Sequence, residues 1–407
     1  AEVLMYAGFN AAGWGGLVVL CGLAFAATLL ILALYSLKWL TPLQSTILVS
    51  ITGLCLLPSS LARPHLLAWP ILAFWTVALL QARAKNTTPP IWLAAIMLVW
   101  ANFHASYAIG LFLAGVFALE ALVDAPKSAR WHVVRTWAIF GLSCLAASVI
   151  TPAGPAGLYY PLMVSTMEIL PLIGEWQAPD FNQLNAMSVG LYALVFFTLF
   201  RPVRLPLVRL LLLLFLLHMG LTHIRHVALF GIVGSLLLAE PLALAYRPET
   251  DRRGVGLRAA FASARRKPAL AMALFGMVIA GMIAARVAIP LQRPDGPGWP
   301  GAALASLPDE LRTQRVFNEY SFGGALIQEG IPAFIDGRAD MYGNRFVKDY
   351  TDISAQADAG KWAAADAEWH FKWVILRPEQ QFTAWIDQQA EWRKIYADNW
   401  AVIYVRD

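Results

Sequence analysis

Cationic and imidazole side chains are concentrated in three short polar segments, LARPHL, WANFHASY and LTHIRH, each placed between apolar stretches. An arginine can grip a phosphate with two parallel hydrogen bonds, and a histidine can donate a further proton to it. The segments therefore predict a phosphate site, and the apolar flanks predict that this phosphate is linked to a lipid. The candidate ligands are Arg63, His65, Asn102, His104, His223, Arg225 and His226.

Two other interpretations of these side chains stay open. The arginine and histidine side chains could contact lipid headgroups or cap the ends of helices. A zinc site is a weaker alternative, because the histidines lack HxxxH or HxH spacing and no cysteine is nearby.

The longer segment between residues 151 and 187 contributes two acids, Glu175 and Asp180. An attacking hydroxyl loses its proton as the new bond forms, and a carboxylate within hydrogen-bond reach can take that proton. Glu175 and Asp180 are therefore the candidate catalytic bases, against the alternative that they lie in a solvated loop. Tyr159, Tyr160 and Trp176 in the same segment favour an interfacial helix.

A second group of polar residues lies in the segment RVFNEYSFGGALIQEGIPAFIDGRADMYG, residues 315–343. Its pattern predicts a strand at 315–318, a helix at 321–329 and a strand at 332–336. The strand ends would bring polar residues to one edge as a catalytic or metal cluster, and a divalent metal is the one cofactor left open. The alternative is a turn in which Asp and Arg pair, since two acids give too few ligands for a calcium loop. The edge residues are Glu319, Asp336, Arg338 and Asp340.

The pair Gly323-Gly324 follows the first of these strands. Glycines at a helix N-terminus can bind an anion through backbone N–H groups. The full spacing of a phosphate-binding loop is absent, so the sequence favours a structural turn.

Ten apolar stretches could place these segments in a membrane. Hydrophobic residues make up 58% of the chain and charged residues only 14%, well below the charged fraction of a typical soluble domain. A membrane span needs about 20 apolar residues. The stretches predicted as spans are 14–35, 44–60, 64–81, 90–101, 104–122, 134–150, 186–200, 207–220, 225–245 and 268–290.

Basic residues sort strongly between the loops when these spans are threaded alternately. One set of loops contains 16 Lys and Arg residues, seven of them between 247 and 267, whereas the opposite short loops contain only Arg63 and Arg225. Such a bias predicts that the first set is cytoplasmic. The present N-terminus, the polar segments and the last 117 residues then lie outside, and we expect a further span to precede Ala1.

The distribution of charge argues against a nucleic-acid-binding protein, and the cysteine content argues against a disulfide-rich or CxxC metal-binding protein. The sequence pI is near 9.1, but the positive charge lies in short loops between apolar stretches, which argues against nucleic acid as a partner. Cys21, Cys55 and Cys144 all fall within predicted spans, so no disulfide framework or CxxC metal site is expected.

A Pro/Gly-rich stretch after Ala288 marks a boundary between domains. We predict a polytopic transmembrane domain at 1–290 and an extracytoplasmic α/β domain at 291–407. The second domain is acidic, and its pattern predicts the order β-α-β-α-α-β-α-β-β, with later strands at 371–376, 394–397 and 401–406.

The motifs ARPH, WANFH, GEWQAPDF and VFNEYSFGG…FIDGRADMYG together resemble a large family of bacterial polytopic membrane proteins. That family is similar to the GT-C superfamily of integral-membrane glycosyltransferases. The resemblance implies a membrane all-α bundle of about ten helices in the bacterial inner membrane, with the C-terminal domain periplasmic. It also implies transfer of a sugar from a polyprenyl-phosphate-linked donor to an acceptor at the outer face. Arg63, His65, His104 and Arg225 would then hold the donor phosphate.

Two alternatives to an enzyme remain. Typical GT-C members carry a catalytic acid in the first outer loop, and that acid matches no position here. Its absence favours a non-catalytic GT-C-like scaffold whose partners are protein subunits of a larger membrane complex. A transporter is less favoured, because no inverted repeat is visible and charges within the predicted spans are scarce.

Overall fold

The computed structural model describes residues 1–246, 268–289, 291 and 293–407. The chain forms two compact units, which are described separately below. The first comprises Ala1–Ser165 and Leu170–Pro290, and the second comprises Thr166–Ile169 and Leu291–Asp407.

The first unit is helical. A helix lies in each of the ten stretches predicted as spans, and one more, α7, lies in the segment between 151 and 187. The helices are α1 (Glu2–Ser36), α2 (Pro42–Leu56), α3 (Pro64–Ala84), α4 (Leu93–Phe103), α5 (Tyr107–Asp124), α6 (Arg130–Ser148), α7 (Ala156–Ser165), α8 (Ala186–Phe200), α9 (Leu207–Thr222), α10 (Val227–Ala245) and α11 (Pro268–Ala288).

Five helical segments among the described residues are long and apolar enough to cross a membrane. The helices α4, α8 and α9 have 11, 15 and 16 residues, fewer than the roughly 20 that a bilayer requires. The structure thus supports a helical membrane protein with five candidate spans, and the figure of ten stays a prediction. The basic loop at 247–267 lies outside the described residues. The five segments are Glu2–Ser36, Pro42–Ser59, Pro64–Ala84, Tyr107–Asp124 and Ile224–Ala245.

Helix α1 bends sharply near its start. Ala12 and Gly13 depart from helical geometry, and Gly13 has a φ of 54°, in the region that favours glycine. The bend brings the backbone of Gly8 against Gly16, where a Cβ would lie 1.9 Å from the Gly8 carbonyl oxygen. Residues eight apart on a straight helix are about 12 Å apart, so residues 2–11 and 14–36 form two separate arms.

Large aromatic side chains fill the core of the first unit. Trp75 of α3 stacks on Phe140 of α6 with ring centroids 5.8 Å apart and meets Trp100 of α4 edge-on at 6.3 Å. The Trp75 indole donates a hydrogen bond to the carbonyl of Gly110 on α5 at 2.9 Å. A Cβ on Gly110 would lie 2.5 Å from the Trp100 ring, so only glycine allows this approach of α5 to α4.

A buried ion network joins α3, α5 and α9. Glu120 accepts hydrogen bonds from Arg209 at 2.8 and 2.9 Å and from Arg83 at 3.3 Å. Arg83 also pairs with Asp124 at 2.6 Å. The side chains of Glu120 and Arg83 are only 3% and 7% exposed. The sequence predicted Arg83 and Arg209 to be orientation signals, and in the structure their contacts with Glu120 join three helices.

The second unit is a four-stranded sheet with helices. The strands lie in the order β1-β2-β4-β3; β1 and β2 are parallel, and the other pairs are antiparallel. Its elements are α12 (Gly301–Ala305), α13 (Asp309–Arg312), β1 (Val316–Asn318), α14 (Gly323–Gln328), α15 (Ala339–Gln356), α16 (Ala359–Trp369), β2 (Trp373–Leu376), α17 (Gln381–Ile386), β3 (Trp392–Ala397) and β4 (Val402–Arg406).

The strand predicted at 332–336 is wrong. This stretch has no regular secondary structure, although Ile335 is fully buried. The buried side chain of Asn318 replaces a neighbouring strand: it donates to the Ile335 carbonyl at 2.9 Å and accepts from the Phe334 N–H at 2.8 Å. Buried backbone groups need hydrogen-bond partners. Here the Asn318 carboxamide provides those partners in place of the backbone of a neighbouring strand.

Gly323 lies at the start of a helix and not in the turn that the sequence favoured. It begins α14 where the helix meets the irregular stretch, and a Cβ there would lie 2.2 Å from the Ile335 carbonyl oxygen. The neighbouring Gly324 faces open space. The close approach of two backbones therefore explains the first glycine but not the second.

Candidate functional site

The structure brings Arg63, Glu175 and Arg225 together from three distant parts of the chain. Arg63 precedes α3, Glu175 lies in a short 3₁₀ turn at Gly174–Trp176, and Arg225 lies in another at Ile224–His226. Arg63 Nη1 lies 2.7 Å from Glu175 Oε2, and Arg225 Nη1 lies 3.6 Å from Glu175 Oε1. Each oxygen of one carboxylate thus faces a different guanidinium.

Trp176 organises the cationic side of this site. The guanidinium of Arg225 lies over its ring at 4.3 Å, and the rings of His223 and His226 meet it edge-on at 5.4 and 5.9 Å. The Ile224 N–H donates to the Gln177 carbonyl at 2.9 Å, which fastens the two 3₁₀ turns to each other. A cation–π contact of this kind fixes the plane of the guanidinium.

Trp176 is not among the site residues predicted from the sequence. The sequence predicts an interfacial helix for it, whereas the structure places it in a 3₁₀ turn beside His223, Arg225 and His226. The sequence feature that could have indicated it is its position next to the candidate base Glu175.

His65 and His104 lie on the other side of this site, with ring centroids 6.1 Å apart. The site as a whole is called the cationic cluster below; it comprises Arg63, His65, His104, Glu175, Trp176, His223, Arg225 and His226. His65 Nε2 bonds to the Ser59 carbonyl at 2.7 Å, and His104 Nδ1 accepts a hydrogen bond from the Ser106 N–H at 3.1 Å. The span predicted at 104–122 begins three residues later, at Tyr107, so His104 lies in the connection between α4 and α5.

Burial, and to smaller extents His65 and Arg225, lower the pKa of His104 from 6.5 to about 4. Burial, followed by the nearby Arg225, also lowers the pKa of His223. Both imidazoles are therefore neutral near pH 7, and the positive charge of the cluster comes from its arginines. His226 lies beside His223, with ring centroids 5.2 Å apart, and its Nδ1 is buried without a hydrogen-bond partner among the described residues.

The lowered pKa of His104 gives a pH-dependent stability. Between pH 6.5 and 4 the unfolded chain binds a proton at this imidazole and the folded chain does not, so the free energy of unfolding falls as the pH falls through this range. We expect His104→Asn to lose less thermal stability over the range than the unmodified protein. The measurement is the melting temperature in detergent from pH 7 to 4.5. The exposed His132→Asn serves as control, and an identical pH profile for both variants would contradict the assignment.

Asn102 and Asp180 have local partners instead of partners in the cluster. The Asn102 carboxamide donates to the carbonyls of Leu98 and Ile150, each at 2.9 Å. The Asp180 carboxylate accepts hydrogen bonds from the backbone and side chain of Asn182, also at 2.9 Å. These contacts stabilise the loops, so Glu175 is the predicted acid that the structure places among the cations.

The cluster and the buried ion network lie at opposite ends of α3. His65 is near its first residue and Arg83 near its last, a separation of about 27 Å at 1.5 Å per residue. That length is close to the thickness of a bilayer's hydrocarbon core. The two groups of polar side chains are therefore separated along α3 by about that thickness.

The residues at the edge of the second unit form two separate arrangements. Arg338 pairs with the buried Asp336 through hydrogen bonds at 2.9 and 3.1 Å, and Tyr342 donates to the same carboxylate at 3.1 Å. The hydrogen bonds from Arg338 lower the pKa of Asp336 despite its burial. Asp340 lies in the first turn of α15. This geometry matches the alternative of a turn in which Asp and Arg pair.

Glu319 has different neighbours. It accepts a hydrogen bond from the Ser321 N–H at 2.6 Å and lies 3.8 Å from Arg377. Burial raises the pKa of Glu319, and the contacts with Ser321 and Arg377 oppose this effect. Within the described part of the chain, no group of three or more His, Cys, Asp or Glu side chains is placed to hold a metal ion.

Comparison of this chain with protein-family models and with curated proteins finds no match.

Proposed function

We propose that the cluster binds the phosphate of a lipid-linked donor. One observation carries the proposal: two arginines from separate loops face the two oxygens of one carboxylate, at 2.7 and 3.6 Å. A phosphate oxygen pair can take the place of that carboxylate, because guanidinium groups bind both anions in the same way. The buried, unpartnered Nδ1 of His226 adds a polar atom that a bound ligand would satisfy.

We further propose that the bound lipid is a polyprenyl-phosphate-linked sugar and that the chain is a GT-C-like glycosyltransferase. The arginines would stabilise the negative charge that grows on the phosphate as the sugar leaves. Phosphate binding would release Glu175 from the arginines while the Trp176 contacts keep it beside the site. Glu175 would then accept the proton of the acceptor hydroxyl. The charge bias of the loops supports a site at the outer face of the bacterial inner membrane.

Arg225→Gln tests the phosphate site. The substitution removes a charged hydrogen-bond donor that is only 31% exposed, and such bonds contribute about 1.5–3 kcal/mol. We expect an affinity for undecaprenyl phosphate about 10- to 100-fold lower, since 1.4 kcal/mol corresponds to a factor of ten. Binding is measured with the full chain in nanodiscs. The exposed Arg201→Gln is the matched control, and equal affinities for the two variants would count against the site.

A non-catalytic GT-C-like subunit is the second candidate, and one observation favours it. Both predicted acids already have partners, Glu175 between the two arginines and Asp180 in its own turn. Incubation with a polyprenyl-phosphate-linked sugar and a mixture of acceptors distinguishes the two. Release of free polyprenyl phosphate that stops with Glu175→Gln supports the enzyme. Absence of release, together with isolation in a fixed ratio with other membrane proteins, supports the subunit.

A further inference from the structure

An apolar slot lies between α2, α8 and α10 in the first unit. One end is formed by Cys55, Gly190 and Phe230, and the other by Thr198 and Leu242. From Phe230 to Leu242 the slot follows α10 for about 18 Å at 1.5 Å per residue. Its walls are almost wholly apolar; the hydroxyls that it contains include those of Thr52 and Ser235, which bond to each other at 2.6 Å.

The end of the slot formed by Cys55, Gly190 and Phe230 lies about one helical turn from the cationic cluster. Phe230 follows His226 by four residues on the continuous segment Ile224–Ala245. Cys55 precedes Ser59 by four residues, and the Ser59 carbonyl bonds to His65. Two different elements thus connect the slot with the cluster over the same short distance, about 6 Å along each helix.

Small residues keep the slot narrow by allowing its walls to approach closely. A Cβ on Gly231 would lie 2.9 Å from Cys55, and one on Gly190 would lie 3.0 Å from the Cys55 sulfur. These contacts hold α8 and α10 against α2 near the cluster. The walls of the slot are therefore closely packed at the end formed by Cys55, Gly190 and Phe230.

We propose that this slot holds the single isoprenoid chain of the lipid whose phosphate lies on the cluster. The inference rests on the proposed function and adds the site of the chain to that of the headgroup. The charge of the neighbouring cluster indicates which ligand occupies the slot. The arginines of the cluster bind the phosphate, and the apolar walls that begin one helical turn away contact the first isoprene units. Burial of a hydrocarbon chain along this length would contribute most of the affinity, as it does for other apolar ligands.

The test compares farnesyl phosphate, which has one isoprenoid chain, with methyl phosphate, which has none. Ala193 of α8 lines the slot, and Ala193→Trp would fill it. We expect this variant to bind farnesyl phosphate at least about tenfold more weakly and methyl phosphate unchanged. Val195→Trp, at an exposed position two residues further along the same helix, should leave both affinities unchanged.

Thr198→Trp would fill the same slot at the end formed by Thr198 and Leu242. This variant tests the inference if Ala193→Trp does not fold. Full affinity for farnesyl phosphate in a folded, slot-filled variant would overturn the inference. Failure of the proposed function gives a different result, because Arg225→Gln would then leave the binding of both phosphates unchanged. Retained binding of methyl phosphate also shows that a variant is folded.

Discussion

Glu120→Gln is expected to destabilise the first unit by about 3–5 kcal/mol, the usual effect of removing one partner from a buried ion pair. The substitution leaves Arg83 and Arg209 close together without their shared carboxylate, and their side chains are only 7% and 13% exposed. Two positive charges then remain in a buried place with no carboxylate between them, which is costly. The measurement is the thermal unfolding of the purified chain in detergent.

Asp124→Asn is the matched control for this prediction. Asp124 bonds to the same Arg83 at 2.6 Å, but its side chain is 55% exposed. An exposed pair of this kind is worth roughly 0–1 kcal/mol. A melting temperature that falls as much for Asp124→Asn as for Glu120→Gln would show that burial of the network contributes little.

Gly323→Ala is expected to produce the second large effect, a loss of about 3 kcal/mol or more in the second unit, at the upper end of the usual range for overpacking. The new Cβ would lie 2.2 Å from the Ile335 carbonyl oxygen and 2.7 Å from the Asp336 Cα. Both atoms belong to the backbone, and Asn318 holds that stretch by two hydrogen bonds, so it cannot move aside cheaply.

Gly324→Ala provides the control one residue away. Its Cβ would meet no atom within 4 Å, and alanine is favoured over glycine in a helix by about 1 kcal/mol. We expect this variant to be as stable as the unmodified protein or slightly more so. Hydrogen exchange of the backbone amides of β1 and β2 in the full chain reports the difference. Equal protection in the two alanine variants would contradict the close approach at Gly323.

The helices were predictable because a long apolar stretch has few stable conformations other than a helix. The number of these helices that are membrane spans was not predictable, since α4 has 11 residues and the start of α6, RWHVVR, contains two arginines and a histidine. Composition alone does not decide whether such a helix crosses a bilayer.

Residue types and spacing predicted several of the side chains that gather, but not how they pair. They also did not predict that Asn102 and Asp180 would bond within their own loops. The sequence indicated that Arg63, His104 and Arg225 would share one site, and the structure brings them together. The ion pairs with Glu175 depend on two 3₁₀ turns that have no periodicity to read. Likewise, the strand expected at 332–336 failed because the Asn318 side chain provides the hydrogen bonds that a strand would have made.

The bend in α1 resolves an apparent mismatch between this helix and a bilayer. A straight helix of 35 residues would be about 52 Å long, well beyond the roughly 30 Å of hydrocarbon that a membrane span crosses. The arm after Gly13 runs from Trp14 to Ser36 and is about 34 Å long, which needs only a modest tilt. The ten residues before the bend form a separate arm and are not needed to reach the length of a span.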